Sequence, residues 1–226
     1  QRALQRTFEG RQPKRRLDEV ASVVSGQTPK GLSPLTHGPI PFFKVGDMNA
    51  AVRGEMVEAR FYLDANLVAR HRIAVRPAGT VVFPKRGGAI ATNKKRVLAS
   101  PSAFDLNTMG LIPGDGLDSR YLLAWFQTID LQRLADGSNV PQINHPDVAP
   151  LELPVPSVAE QRAIVDQIEQ QLSLIDSLRT AVESAQKRSA ALRRAILERA
   201  FRGELVPQDP DDEPASALLE RIRAER

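Results

Sequence analysis

Between Ser157 and Gly203 the chain contains neither proline nor glycine, and that uninterrupted stretch constrains the fold more than any other feature. Its first residues, Ser157, Val158, Ala159 and Glu160, form a capping box, in which the serine hydroxyl and the glutamate carboxylate satisfy backbone amides left free at a helix start. The pattern predicts one helix over 157–203, about 67 Å long at about 1.5 Å per residue. A small domain needs far less helix to close its own core, so this one requires a partner along its length.

The residues supply a seam for that partner. Ile168, Ile175, Val182, Ser189 and Ile196 alternate with Ile164, Gln171, Leu178, Ala185 and Leu192 at three-four spacing, the repeat of a coiled-coil face. Gln171, Ala185 and Ser189 interrupt it, and an ordinary amphipathic helix lying on its own domain is the rival reading. Charge adds a direction. From Glu160 to Asp176 there are four acids and one base, Arg162, whereas from Arg179 to Arg202 there are seven bases and two acids. Antiparallel pairing of two copies sets acidic against basic halves. The helix dipole also favours acids early and bases late, but it acts only over the end turns.

The rest of the chain divides around this helix. Residues 1–16 carry six basic side chains against Glu9 and show no apolar period, so they are expected to form a flexible or partly ordered basic lead-in. Over 17–156, short apolar runs at 40–45 and 80–83 resemble strands punctuated by glycine and proline. One helix stands out there: Ser119 as its cap, Leu122, Trp125, Phe126 and Ile129 at helical spacing, and Gly137 beyond its end. The expected class is α+β, with a compact mixed domain over 17–156, the long coiled-coil-forming helix over 157–203, and a tail over 204–226 containing a short helix. No run of about 18 apolar residues occurs, so a membrane span or secretory signal is not expected. Absence of cysteine removes disulfides and thiolate chemistry. The first residue is Gln1 rather than Met, which leaves room for a preceding segment.

A formal charge of +4 permits an anionic partner without demanding one. Its densest concentration is PKRGGAIATNKKR at 84–96, with five cations and no acid. Lys85, Arg86, Lys94, Lys95 and Arg96 would attract phosphates, Gly87 and Gly88 allow close backbone approach, and Thr92 and Asn93 offer neutral hydrogen-bonding groups. A second candidate DNA-facing stretch at 138–145 includes Ser138, Asn139, Gln142 and Asn144. A solvated hairpin and a polar turn are the respective rival readings.

Catalytic patterns fail. Asp147 and Glu152 resemble the acids of a metal-dependent nuclease, but Pro154 stands where its lysine belongs. The stretch at 85–88 is neither a phosphate loop nor a dinucleotide fingerprint. No catalytic, cofactor or metal site is expected, and His37, His71 and His145 are expected to be surface or structural residues. A nuclease or a coiled-coil protein-interaction module remain the alternatives.

The order of motifs carries a family resemblance. LDEVASVVSGQTP at 17–29, GTVVFPKRGG at 79–88, VPQIN at 140–144, LPVPSVAEQRAIV at 153–165 and AFRGELVPQDPDDEPASALLERI at 200–222 resemble Type I restriction-modification specificity subunits, the last two most specifically. The resemblance implies a cytoplasmic, noncatalytic reader of double-stranded DNA. The domain would recognise one half of a bipartite target, and the helix would serve as spacer and docking surface. Methyltransferase subunits would bring S-adenosylmethionine, and a restriction subunit would bring ATP- and Mg-dependent cleavage. A full specificity subunit carries two recognition domains and two helical regions, whereas this sequence has one of each. It is therefore either a half subunit that pairs as an antiparallel homodimer or the C-terminal half of a longer protein.

Overall fold

The computed structural model describes residues 2–11, 13–206, 211 and 213–225. It begins with α1 (Arg2–Phe8), β1 (Lys14–Arg16), α2 (Leu17–Val20) and β2 (Ala21–Ser25). Next come β3 (Ile40–Phe43), β4 (Glu55–Met56), β5 (Phe61–Leu63), α3 (Ala65–His71), β6 (Val81–Pro84), β7 (Arg96–Leu98), β8 (Ala103–Phe104) and β9 (Thr108–Pro113). The chain continues through α4 (Ser119–Phe126), α5 (His145–Val148), β10 (Glu152–Pro154), α6 (Val158–Phe201) and α7 (Ala215–Ala224). The class is α+β.

A five-stranded sheet in the order β2-β9-β6-β7-β4 forms the centre of the domain, accompanied by a three-stranded sheet, β5-β3-β8, and the pair β1-β10. All neighbours in the larger sheet are antiparallel except β4 and β7. The period-two alternation of a strand explains why β6 is apolar throughout: it is covered on both faces. Val81 and Phe83 join Met109, Leu111 and the α4 residues Tyr121, Leu122, Trp125 and Phe126 in one core. Val82 joins Phe43, Met48, Met56, Leu98 and Phe104 in another. Phe83 meets Phe126 edge-on at 4.9 Å between ring centroids, a favoured aromatic geometry. Gly110 lies where the layers come closest, since a Cβ there would stand 2.9 Å from Phe104 Cζ.

One local expectation needs correction and another becomes specific. Asp118, not Ser119, caps α4, its Oδ1 accepting from the amides of Arg120 (2.9 Å) and Tyr121 (3.2 Å). The basic lead-in is largely regular structure. Leu4 and Phe8, one helical turn apart in α1, pack onto the main core. Phe8 meets Tyr121 at 5.5 Å, and β1 pairs with β10 from Lys14 opposite Pro154 to Arg16 opposite Glu152. Burying Phe8 contributes about 1.5–3 kcal/mol, enough to order a helix its length alone could not hold. Residues 1 and 12 of the lead-in and 207–210, 212 and 226 of the tail, including part of the 200–222 motif, lie outside the described residues.

The capping box forms as the residues dictate: Glu160 Oε2 accepts from the Ser157 amide at 3.0 Å, and the Glu160 amide donates to Ser157 Oγ at 3.3 Å. The helix it starts runs 44 residues and ends at Gly203, whose φ of 71° is the left-handed conformation of a helix stop. Two compact units divide inside it, one covering residues 1–169 and the other 170–226. The boundary lies beyond the expected 156 because Gln161, Ile164, Val165 and Ile168 are buried in the first unit. Within the second unit, residues 170–201 are exposed apart from half-buried Ser184, and α7 exposes Leu218, Leu219 and Ile222. Among the described residues, no helix is long and apolar enough to cross a membrane.

Candidate nucleic-acid interface

Strand pairing brings together loops that are distant in sequence. Pro84 is opposite Thr108, Val82 is opposite Arg96, Ser25 is opposite Met109, and Glu55 is level with Val97. The connections at 26–28, 52–54, 85–95 and 105–107 therefore emerge at the same end of the five-stranded sheet. Backbone bonds knit them together: the Lys85 amide donates to Asn107 O at 2.7 Å, and Gly26 N donates to Thr108 O at 2.9 Å. Lys85 Nζ reaches Ser25 Oγ at 3.1 Å.

The two candidate stretches meet at this end. Arg86 and Gln142 form an isolated antiparallel bridge, flanked by Gly87 N to Pro141 O at 2.8 Å and Ile143 N to Lys85 O at 2.9 Å. Arg86 is exposed, and no hydrogen bond or ion pair to another described residue occupies its guanidinium. Gly87 has a φ of 72°, and a Cβ on either Gly87 or Gly88 would meet nothing within 4 Å, so this backbone is open to a large ligand. Asn139 is exposed. Ser138 Oγ lies 2.8 Å from both Asp136 Oδ1 and the Val140 carbonyl. Hydrogen bonds from the Gln142 amide and the Ser138 hydroxyl and amide hold the Asp136 carboxyl below the ordinary carboxylate range. That ionised carboxylate organises the loop.

Other candidates serve the scaffold. Lys95, expected on the DNA-facing loop, is 0% exposed, because the chain turns inward at Asn93 (φ 53°). Its ammonium donates to Asn93 Oδ1 at 2.8 Å and to Ile129 O at 2.6 Å, 5.6 Å from the Phe126 ring centroid. Burial pulls its pKa down from 10.5 to about 8, with Asp130 opposing the shift. Asn93 Oδ1 also accepts the Leu131 amide at 2.9 Å, so that side chain is committed to the fold. Arg96 donates to the carbonyls of Met48 and Lys95, and burial lowers its pKa. Lys94 binds Asn49 Oδ1. Exposed Thr92 donates to Ala89 O at 2.7 Å within a 3-10 helix at Gly87–Thr92, where a hairpin was one expectation. The Asn144 amide donates to Asp147 Oδ2 at 2.7 Å, which places both residues in the start of α5. Among the described residues, no group of three or more His, Asp or Glu is arranged to hold a metal.

Charge and spacing did not single out Arg53. It stands with Gly54 at a two-residue turn closed by Val52 N to Glu55 O at 2.9 Å and Glu55 N to Val52 O at 2.8 Å. An X-Gly pair between short apolar runs is a hairpin signal that would have located it.

The base of α6 is a second constructed feature. Gln161 is 0% exposed. Its Oε1 accepts the Asp118 amide at 2.8 Å, and its Nε2 donates to the carbonyls of Gly116 (2.8 Å) and Pro156 (2.9 Å). Arg162 lies 3.8 Å from Asp118, and Arg120 lies 3.4 Å from Glu169. Tyr121 OH donates to Pro154 O at 2.9 Å, and burial pushes its pKa up to about 12. Of the proposed seam, Ile164 and Ile168 belong to the domain core, whereas Ile175, Leu178, Val182, Leu192 and Ile196 are exposed.

Residues 12–184 match the family described as the Type I restriction modification DNA specificity domain. The chain is similar to the Type I restriction enzyme EcoDI specificity subunit of Escherichia coli, 34% identical over 122 residues that make up 49% of this chain and 28% of that protein. A shorter stretch is 71% identical over 35 residues to the EcoEI specificity subunit of E. coli, covering 16% of this chain and 6% of that one. Among solved structures, the HsdS subunit from Thermoanaerobacter tengcongensis superposes with a TM-score of 0.62 at 25% identity, over 90% of this chain and 50% of that one. A chain of a type I R-M system, solved for its assembly and conformational transition, gives a TM-score of 0.68 at 26% identity over 90% and 51%. The chain therefore spans about half the length of these solved relatives and 28% of the EcoDI subunit.

Proposed function

The chain belongs to the Type I restriction modification DNA specificity domain family, and from that premise we propose that it is a noncatalytic reader of one half of a bipartite DNA target. The observation that carries the proposal is the convergence, at one sheet end, of exposed Arg86, the open Gly87-Gly88 backbone and the polar stretch bridged to it at Gln142. Exposed cations supply sequence-independent phosphate attraction, which weakens with salt because counterions released from the DNA on binding gain less entropy in a more concentrated solution. Base-edge contacts from arginine and amide side chains add about 1–3 kcal/mol of discrimination for each good bidentate pair.

In this reading the chemistry resides on other subunits in the cytoplasm. Methyltransferase subunits bind S-adenosylmethionine and modify the target, and a restriction subunit uses ATP and Mg²⁺. The exposed stripe from Ile175 to Ile196 receives a second copy in antiparallel sense. Support comes from the apolar exposure of that stripe and from the acidic and basic halves of the helix. Such a dimer is two-fold symmetric and reads an inverted repeat, with helix length setting the gap between half-sites.

The test is duplex binding by the chain with methyltransferase subunits, measured against a target found by mapping methylated adenines in cells carrying the system. The expected result is one sequence bound far above random duplex, with affinity falling steeply from low to physiological salt. Equal affinity for every duplex would refute the proposal.

A further inference from the structure

Three non-glycine residues in the described chain adopt positive φ: Arg53 (49°), Arg72 (50°) and Asn93 (53°). This backbone region is costly for a residue with a Cβ, so each case calls for a reason. Arg72 closes α3: its amide donates to Ala69 O, and the next amide, of Ile73, donates to Val68 O at 3.0 Å. Asn93 belongs to a residue type that tolerates the conformation, and its Oδ1 receives both Lys95 and the Leu131 amide. Arg53 takes the conformation because its two-residue turn, closed by Val52 and Glu55, requires positive φ at both positions. Its turn would be served better by glycine, and no hydrogen bond or ion pair to another described residue holds its guanidinium.

The turn is nevertheless firmly placed. Val52 and Glu55 exchange two backbone bonds, and Val97 N donates to Gly54 O at 2.9 Å, anchoring the tip to the start of β7. It emerges at the same sheet end as Arg86 and Gln142. Beside it, Val52 is 62% exposed. An exposed cation with an exposed apolar neighbour on a hydrogen-bonded turn suits entry into a DNA groove, the guanidinium contacting base edges and the apolar group meeting sugar or a base step.

We propose that Arg53 is a DNA-reading residue, presented by a strained two-residue turn and aided by Val52. The inference rests on the DNA-reading function proposed above. Its bland rival is that a charge here merely guards β4, an edge strand, against pairing with another chain. The two differ in what removal of the side chain does.

The experiment compares Arg53→Gly and Arg53→Lys with the wild-type chain, each assembled with methyltransferase subunits, on the mapped target duplex and a scrambled one. Arg53→Gly relieves the backbone strain, so its thermal midpoint is expected to rise by about 2–4 °C. Specific affinity is expected to fall about tenfold or more, which no loss of folding could then explain. Arg53→Lys keeps the charge but not the planar fork, and is expected to recover affinity for the scrambled duplex while remaining defective on the target. Unchanged target binding by Arg53→Gly would overturn the proposal, as would full recovery by Arg53→Lys, which would indicate a phosphate contact. If the wild-type assembly itself does not distinguish the two duplexes, the functional reading falls and takes this inference with it.

Discussion

Replacing Lys95 by methionine should alter how stability depends on pH. The ammonium is wholly buried between Asn93 Oδ1 and Ile129 O, and burial lowers its pKa from 10.5 to about 8. Below pH 8 the folded and unfolded chains both carry the proton, so this group adds no pH dependence. Between pH 8 and 10.5 the unfolded chain retains the proton while the folded one loses it, and stability therefore rises with pH. The favourable contribution is complete above 10.5 and is lost as pH falls through 8. One proton corresponds to at most about 1.4 kcal/mol per pH unit, so the rise from pH 8 to 10 is about 2 kcal/mol, or about 1 with residual solvent screening. Tyr121 acts in the opposite sense, its stabilising contribution being lost as pH climbs from 10 toward its folded value of about 12, so measurement should stop near pH 10. Urea unfolding at half-unit steps across this window gives the midpoints. The wild-type midpoint should climb, and that of Lys95→Met should stay level. A flat or falling wild-type curve, or a variant that climbs just as steeply, would refute the account of this buried cation.

Gln161→Leu removes three hydrogen bonds and leaves the Asp118 amide and the Gly116 and Pro156 carbonyls unpaired. A stability loss of about 2–4 kcal/mol in urea unfolding is expected, and a loss below about 0.5 kcal/mol would show that water replaces the carboxamide without cost. Ile168→Asp buries a charge in the main core and should destabilise the domain by about 3 kcal/mol or more. Ile175→Asp alters an exposed seam position; it should halve the mass seen by light scattering, and an unaltered mass would count against the antiparallel pair. Arg86→Ala should leave stability unchanged and flatten the dependence of log affinity on log salt by about one. An unaltered slope would exclude Arg86 from phosphate contact.

What could be read from the residues alone was mostly local. The capping box at Ser157 and Glu160, the helix stop at Gly203 and the apolar run in β6 rest on neighbouring residues, and each appears where its chemistry requires. The α4 cap was misplaced by one residue because Asp118 and Ser119 are both competent cap residues, and only the bonds to the Arg120 and Tyr121 amides decide between them. Order at the N-terminus depends on Phe8 finding Tyr121, more than a hundred residues away. Counting charge over 84–96 treated five cations alike. The left-handed turn at Asn93 sends Lys95 inward while Arg86 stays outside, a distinction that long-range contacts impose and charge counting misses. Strand register, likewise, is what brings 52–54 to the same end as 85–95.

The burial of Gln161, Ile164, Val165 and Ile168 bears on where two such chains could be joined in an engineered chimera. A join at Pro156 would set the domain core of one parent against Ile164, Val165 and Ile168 equivalents supplied by another. A join beyond Glu169 transfers both together. A chimera joined there keeps the first unit and the helix base that completes its core from one and the same parent.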